Sequence, residues 1–330
     1  MHFVTRCGRF AGLARDRDVV HLHSGDAALF LLGMVARRLP VARLASFHVD
    51  NRAMAASLRA HRVEGIRFGS GPARRLLECA QAEAHSGLDA LARGLSGASV
   101  YFSRSAARDV LGEPGAGRAR VIHDGLPPLS ETPGEAPAEA VELLYVGVFG
   151  QRKRSHLLPF VLREVRRLHP RARLRVVGAR IDEQPELAAL FDRLGLAHAV
   201  EWQGPLRSRE IRRHYRAAQV LLLPSAYEGL PTVMLEAMQC GLPCVATRIC
   251  GHPEIIEDAE NGYLVPPDQP ALMAERACLL LGDEELRERL GSAARDAVAR
   301  NFGLDAMLDA YQQLYRELRE GAEKPRSVSR

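Results

Sequence analysis

Two glutamates are spaced so that they could bind one ligand from the two ends of a loop and helix. Glu228 and Glu236 are eight positions apart in the stretch 220–247, VLLLPSAYEGLPTVMLEAMQCGLPCVAT. Eight residues of continuous helix span roughly 12 Å, whereas the carboxyl groups of a retaining glycosidase lie about 5 Å apart. The spacing therefore argues against a hydrolytic acid pair. It suits a long ligand with hydroxyl groups at both ends and a phosphate between them, because free helix amides and the helix dipole attract phosphate. The alternative is that both glutamates are solvated, as most glutamates are.

The elements that position these two acids can be predicted from the same stretch. Val220–Leu223 is wholly apolar, as is typical of a parallel strand buried on both faces. Pro231 suits the first turn of a helix, and the apolar residues of 232–239 recur at helical spacing and give one buried face. Gly241 ends this helix, and 243–247 is predicted to be the next strand. The pattern is therefore strand, loop, helix, strand, with one acid in the loop and one on the helix.

A basic loop provides a second group of candidate residues. The segment 147–154, GVFGQRKR, follows the apolar strand predicted at 143–148. Ligands of open α/β sheets bind at the carboxyl ends of strands. Lys153 and Lys324 are the only lysines of the chain, which favours a specific role for a compact ammonium charge at 153. The alternative is a solvated basic loop.

Apolar strands alternate with amphipathic helices from about residue 143 onward, which indicates a parallel, doubly wound sheet. Residues 127–137, PPLSETPGEAP, are rich in proline and lack large apolar side chains, as is typical of a linker. A chain of 330 residues is long enough for two domains.

Composition restricts the remaining classes of function. The chain has no run of about 18 apolar residues, and its N-terminal segment is too polar for a secretory signal, so we expect a cytoplasmic protein. Its formal net charge is +5, but aromatic residues make up only 5% and no stacking platform is visible, so nucleic acid is not expected as a partner. Weak peripheral association with an anionic membrane stays open. Cys240, Cys244 and Cys250 lack the paired spacing of a zinc site, and we expect no metal.

The segment EGLPTVMLEAMQCGLPCVAT resembles the E-x7-E signature of the retaining GT-B glycosyltransferases of group 1, also called family 4. The resemblance runs from about Val141 to Leu318 and more loosely back to Asp18. It implies two Rossmann-like, doubly wound domains that face each other across a cleft. It also implies transfer of a sugar from a nucleoside-diphosphate sugar to an acceptor hydroxyl, with retention of anomeric configuration and without a cofactor or metal. The hydroxyl would belong to a sugar, a glycan or a lipid-linked acceptor, as in glycan, polysaccharide or glycolipid synthesis.

The resemblance also implies roles for individual residues. Glu228 would face the donor sugar, His48 would contact that sugar, and Lys153 would meet the diphosphate. Glu236 would bind the ribose hydroxyls. The family's arginine is replaced by Val148 here, which leaves Arg152 or Arg154 as its substitute. The remaining residues assigned to the donor are Gly147, Arg154, Gly229, Leu230, Pro231, Thr232 and Gly251.

We therefore predict an acceptor-side domain at 1–137, a nucleotide-sugar-binding domain at 138–303, and a last segment, 304–330, whose helix crosses back to the first domain. Only 17 residues precede Asp18, so the resemblance implies a shortened N-terminal domain. We therefore expect the chain to bind nucleoside diphosphate but to transfer sugar slowly or not at all. The alternative function is a non-catalytic or degenerate nucleotide-sugar-binding protein that needs a partner or a missing N-terminal segment. A dinucleotide-dependent oxidoreductase is disfavoured, because no G-x-G-x-x-G follows a strand and opens a helix.

Overall fold

The structure of the protein is a computed structural model, and it describes residues 19–23, 42–47, 98–111, 119–129, 140–150 and 152–323. These residues divide into two compact units. The first unit contains the described residues up to 125 and those from 305 onward, and the second contains residues 126–304. The domain boundaries inferred from the sequence, at 137 and 303, stay predictions. Most of the linker predicted at 127–137, and the whole of His48, lie outside the described residues.

The first unit contains a parallel sheet with the strand order β1-β2-β3-β4. Its strands are β1 (Val19–His23), β2 (Ala42–Phe47), β3 (Ala98–Tyr101) and β4 (Ala119–Val121), and helix α1 is Arg104–Leu111. The Ser103 hydroxyl accepts a hydrogen bond of 3.0 Å from the Ala106 amide, so it caps the first turn of α1. The last helix of the chain, α9 (Leu304–Glu323), contributes Tyr311 and Leu314 to an apolar cluster with Val100 of β3.

The second unit is built on a six-stranded parallel sheet. Its strands are β5 (Val141–Val146), β6 (Leu174–Val177), β7 (Val200–Gly204), β8 (Ala218–Leu223), β9 (Cys244–Thr247) and β10 (Tyr263–Val265). Its helices are α2 (Leu158–Leu168), α3 (Pro185–Arg193), α4 (Ser208–Ala217), α5 (Thr232–Gln239), α6 (His252–Ile255), α7 (Pro270–Gly282) and α8 (Glu284–Asn301). The alternation predicted from the sequence is therefore present in this unit, with some ends shifted by one to three residues.

The strand order of this sheet determines where its loops meet. From one edge to the other the order is β7-β6-β5-β8-β9-β10, which is the doubly wound order 3-2-1-4-5-6. Its direction reverses between β5 and β8, which are neighbours in the sheet although α2, β6, α3, β7 and α4 separate them in sequence. Ligands of such sheets bind in the crevice at the carboxyl ends of the strands at this reversal point.

The core of the second unit explains why its strands read as continuous apolar runs. Leu143 and Tyr145 of β5 are fully buried, and so are Val161 and Leu162 of α2. A parallel sheet with helices on its faces leaves no polar side for its central strands. We expect truncation of such a residue, for example Leu162→Ala, to cost about 2–5 kcal/mol.

A close approach between two glycines ends β5 and begins the basic loop. Gly178, at the end of β6, has φ +101°, and a Cβ there would lie 2.9 Å from the Gly147 carbonyl oxygen. Gly147 itself has φ +154° and leaves the strand, although its amide still donates to the Val177 carbonyl at 2.9 Å. For this reason β5 ends at Val146, two residues earlier than the sequence pattern predicted.

Candidate active site

The loops that follow β5 and β8 meet at the reversal point through an ion-pair cluster. Lys153 Nζ lies 2.6 Å from Oε1 of Glu228, and Arg152 Nη1 lies 2.7 Å from Oε2 of the same carboxylate. The Glu228 side chain is only 7% exposed and that of Lys153 only 11%, whereas that of Arg152 is 32% exposed. The interpretation of Glu228 as a solvated loop acid is therefore wrong, and so is that of the basic loop as wholly solvated.

The backbone and the hydroxyl groups around Glu228 fix its position. The Ser225 hydroxyl donates to Glu228 Oε1 at 2.9 Å, and the amide of Ala226 donates to the Arg152 carbonyl at 2.8 Å. Thr247, at the end of β9, donates its hydroxyl to the Ser225 carbonyl at 2.6 Å. Three neighbouring strands, β5, β8 and β9, thus contribute to one cluster at their carboxyl ends.

A buried histidine follows β9 and lies close to the same charges. His252 is fully buried, and its Nδ1 lies 2.6 Å from the Thr247 carbonyl oxygen. A carbonyl only accepts, so Nδ1 carries the proton in the neutral ring, and Nε2 presents a lone pair that has no hydrogen-bond partner among the described residues. Burial lowers the pKa of His252 to about 4, with the Lys153 charge adding to the effect and the Glu228 charge opposing it. His252 is therefore neutral at physiological pH.

The electrostatics of the cluster favour an anionic ligand. Burial by itself raises the pKa of Glu228, but the charges of Lys153 and Arg152 outweigh it and hold that pKa below its usual value. Glu228 is thus ionised at neutral pH. Two cations then face one carboxylate and a neutral histidine, which leaves one excess positive charge at the carboxyl edge of the sheet. A phosphate group is the kind of ligand that such a site attracts.

The second acid lies on α5, immediately after the loop that contains Glu228. Glu236 is half-buried, and the Tyr215 hydroxyl of α4 donates to its Oε2 at 2.9 Å. Burial raises the pKa of Glu236, while the bond from Tyr215 and the charge of Arg212 lower it in part. Pro231 precedes α5, and no side chain of the described residues caps this helix. Its first amides can therefore donate hydrogen bonds to an anion, as helix N-termini do.

The other residues assigned to the donor occupy different surroundings. Gly229, Leu230 and Pro231 are buried in the turn that leads into α5, whereas Thr232 is exposed. Gly251 is buried immediately before the short helix α6, and Gly147 is partly exposed at the end of β5. Their contacts with a donor stay predictions, as does the role of His48.

Arg154 lies apart from the ion-pair cluster. It has φ +49°, and its Nη2 lies 3.4 Å from Oδ2 of Asp268, which follows β10. Its side chain is only 6% exposed. Val148, which stands where the family has arginine, is 62% exposed. Of the two arginines considered as substitutes, the one that reaches Glu228 is Arg152.

Sequence reasoning did not commit to several residues that surround the two acids. Arg152, Ser225 and Tyr215 contact the acids directly. Thr247 holds the Ser225 carbonyl, and His252 interacts with Glu228 electrostatically. The signal that could have found some of them is topological. If β5, β8 and β9 had been placed side by side from the doubly wound order, the residues just after each strand would have been expected to meet.

Residues 132–297, just over half of the chain, match the family model of the glycosyl transferases group 1. The chain belongs to this family. This confirms the family resemblance found in the sequence. The D-inositol 3-phosphate glycosyltransferase of Streptomyces bingchenggensis is 32% identical over 200 residues, which cover 58% of this chain and 44% of that protein. The chain therefore spans less than half the length of this group 1 relative.

The fold of this chain resembles those of two solved structures, among others. The sucrose-phosphate synthase of Thermosynechococcus elongatus has a TM-score of 0.76 and 21% identity, covering 97% of this chain and 78% of its own. HepE of Anabaena, solved with UDP and glucose, has a TM-score of 0.72 and 17% identity, covering 94% and 81% respectively. At such identities the likeness concerns the fold, and the predicted GT-B fold class is confirmed.

The described residues contain neither a candidate metal site nor a candidate membrane span. Within this part of the chain, no group of three or more His, Cys, Asp or Glu side chains is placed to hold a metal ion. None of the described helices is both long and apolar enough to cross a membrane.

Proposed function

We propose that this group 1 glycosyltransferase moves a sugar from a nucleoside-diphosphate sugar to an acceptor hydroxyl, with retention of anomeric configuration and without a resident metal. The observation that supports this most is the cluster of Arg152, Lys153 and Glu228 at the reversal point of the sheet. Within it, Glu228 lies in the loop that leads directly into the N-terminus of α5. It combines cations for a diphosphate with a carboxylate for a sugar hydroxyl.

The diphosphate would bind by exchanging partners with Glu228. Lys153 and Arg152 turn from the carboxylate to the phosphate oxygens, and the uncapped first turn of α5 adds amides and its dipole. Glu228, released from two charged contacts, can then accept a hydrogen bond from a hydroxyl of the donor sugar. Arg152 takes the place of the arginine that is Val148 in this chain.

The nucleoside would be held at the other end of the site. Glu236 uses Oε2 to accept from Tyr215, and its Oε1 is the oxygen that a ribose hydroxyl would donate to. A ribose hydroxyl can reach it because Glu236 is only half-buried. The two acids thus have separate partners, in keeping with a ligand that carries its diphosphate between ribose and sugar.

The transfer itself needs no protein nucleophile. The bond between the anomeric carbon and the diphosphate oxygen breaks, and a bond to the acceptor oxygen forms on the same face. The proton of the acceptor hydroxyl passes to the departing diphosphate. Lys153 and Arg152 stabilise the negative charge that develops on that leaving group, and such electrostatic stabilisation is usually the largest single contribution to catalysis. His48, as predicted from the sequence, would contact the donor sugar.

The acceptor is a hydroxyl compound, and one relative is called D-inositol 3-phosphate glycosyltransferase, so inositol 3-phosphate is a suitable first probe. Peripheral association with an anionic membrane stays a proposal that rests on the net charge of +5.

The proposal is tested by measuring release of UDP from UDP-glucose, with inositol 3-phosphate and simple sugars as acceptors. GDP- and ADP-sugars are tried in parallel as donors. Lys153→Ala should lower kcat by about 10²–10³-fold, the usual effect of removing one donor from a developing anion. Arg163→Ala, which removes a partly exposed arginine of α2, is the matched control. Full activity of Lys153→Ala, or binding of every nucleoside diphosphate without any turnover, would contradict the proposal.

A further inference from the structure

The hydroxyl of one buried tyrosine contacts the acid assigned to the ribose. Tyr215 lies in the last turn of α4, is 1% exposed, and donates its hydroxyl hydrogen to Glu236 Oε2 at 2.9 Å. Helix α4 packs beside α5, so the contact joins two helices rather than two neighbours on one helix. No sequence pattern singles out this tyrosine.

We propose that Tyr215 is a positioning residue. It keeps the Glu236 carboxylate ionised and holds it so that its second oxygen points at the ribose hydroxyls of the donor. The inference rests on the proposed function, since it assumes that Glu236 binds the nucleoside. It assigns Tyr215 no contact with the donor itself.

The need for such a residue follows from the flexibility and the burial of Glu236. A free glutamate side chain loses on the order of 1.5–2 kcal/mol of conformational entropy when it is fixed. A bond to a rigid, buried phenol removes most of that freedom before the ligand arrives, and preorganisation of this kind increases affinity. Burial raises the pKa of Glu236, and the hydrogen bond from the Tyr215 hydroxyl opposes this increase.

Of the two groups of this pair, Glu236 is the one that gains a proton as the pH falls. Burial raises the pKa of Tyr215 far above its ordinary value, so the phenol stays protonated and remains a donor. Burial also raises the pKa of two nearby thiols, which stay neutral. The charged and titratable groups that act on the pair are Arg212 of α4, Cys240 at the end of α5 and Cys244 of β9. Arg216 of α4 and Arg295 of α8 act on Cys240.

The experiment compares five forms of the full chain by calorimetric titration with UDP from pH 5 to pH 8.5. The forms are the wild type, Tyr215→Phe, Glu236→Gln, the double variant that carries both changes, and the control Tyr263→Phe. Tyr263 is a buried tyrosine of β10 in the same unit, and its ring packs in the core rather than against Glu236. Thermal unfolding of each form establishes that it is folded under the conditions used.

Tyr215→Phe should bind UDP roughly tenfold more weakly than the wild type at pH 8. Its loss of affinity on acidification should begin at a higher pH, because removal of the hydroxyl lets the pKa of Glu236 rise further. Glu236→Gln should bind weakly at every pH, and adding Tyr215→Phe to it should produce no further loss. A role in packing alone would instead weaken binding by the same factor at every pH.

The possible failures can be told apart. If Glu236→Gln binds UDP as the wild type does, the ribose role fails and the inference falls with it. If Glu236→Gln is weak but Tyr215→Phe behaves as Tyr263→Phe, the positioning role alone is wrong. A uniform loss in Tyr215→Phe, with an unshifted pH dependence, also overturns it. If Tyr215→Phe does not fold, Glu236→Asp serves instead, because its shorter side chain withdraws the carboxylate from the phenol. Its affinity for UDP must then begin to fall at a higher pH than that of the wild type.

Discussion

Replacing Glu228 by glutamine should affect nucleotide binding and turnover in opposite directions. Glu228→Gln keeps the shape of the side chain but removes the anion that faces Lys153 and Arg152 at 2.6 and 2.7 Å. In the unliganded protein this carboxylate competes with a diphosphate for both cations. In the variant, the two cations have no carboxylate contact to break when the diphosphate binds. Binding of UDP should therefore become tighter, by about tenfold if breaking one charged contact costs roughly 1.4 kcal/mol.

The same change should destabilise the free protein. Removing one partner of a buried ion pair costs about 3–5 kcal/mol, but Arg152 is about one-third exposed, and the amide oxygen of glutamine still accepts a hydrogen bond. We therefore expect a loss of about 1–3 kcal/mol in the free energy of unfolding. For a unit of this size, that loss corresponds to a fall in Tm of about 2–12 °C. Saturating UDP should raise the Tm of the variant by more than it raises the Tm of the wild type.

Turnover should fall while nucleotide affinity rises, because the sugar hydroxyl loses its carboxylate acceptor. Calorimetry with UDP, thermal unfolding with and without UDP, and UDP release from UDP-glucose measure the three effects. Glu260→Gln, which neutralises an exposed acid in the turn before β10, is the matched control. Weaker UDP binding by Glu228→Gln would refute the partner exchange, and so would behaviour equal to that of Glu260→Gln.

Three other predictions concern the same unit. Arg152→Ala should weaken UDP binding about tenfold, whereas Arg154→Ala should mainly lower Tm; calorimetry that shows the reverse would assign the diphosphate to Arg154. Gly178→Ala should lower stability by about 1–3 kcal/mol in thermal unfolding, because φ is +101° and its Cβ would lie 2.9 Å from the Gly147 oxygen; an unchanged Tm would refute this. Burial lowers the pKa of three histidines to about 4: His156, His214 and His252. In the unfolded state these histidines have a pKa near 6.5, so between about pH 6.5 and 4 the unfolded state binds more protons than the folded state. Tm should therefore fall as the pH drops from about 6.5 to 4. A Tm that stays constant over this range would contradict the prediction.

The elements of the second unit were predictable because each leaves a local pattern. The apolar run of β8 and the helical spacing of α5 both follow from burial of one side or both sides of an element. The end of β5 was predicted two residues too late. The strand ends because Gly147 has φ +154°, and a pattern of apolar residues does not reveal a backbone angle.

The partners of the two acids were much harder to predict than the acids. Arg152 and Glu228 are 76 positions apart and meet because β5 and β8 are neighbours. Alternation of strands and helices indicates a doubly wound sheet, but it does not state which strands are adjacent. The choice between Arg152 and Arg154 depended on φ +49° at Arg154, which turns that side chain to Asp268. No side-chain pattern carries that angle.

The lysine at 153 fits a site whose partner must change. An ammonium group on a flexible stem has three rotatable donors, so it can contact Glu228 in the free protein and a phosphate in the complex. A guanidinium prefers one planar, bidentate partner and holds it more rigidly. The chain uses arginine almost everywhere else, with 45 lysines and arginines in total and only two lysines among them. The proposed exchange of partners accounts for a lysine at this position, and it predicts that Lys153→Arg keeps the positive charge but slows turnover more than it weakens UDP binding.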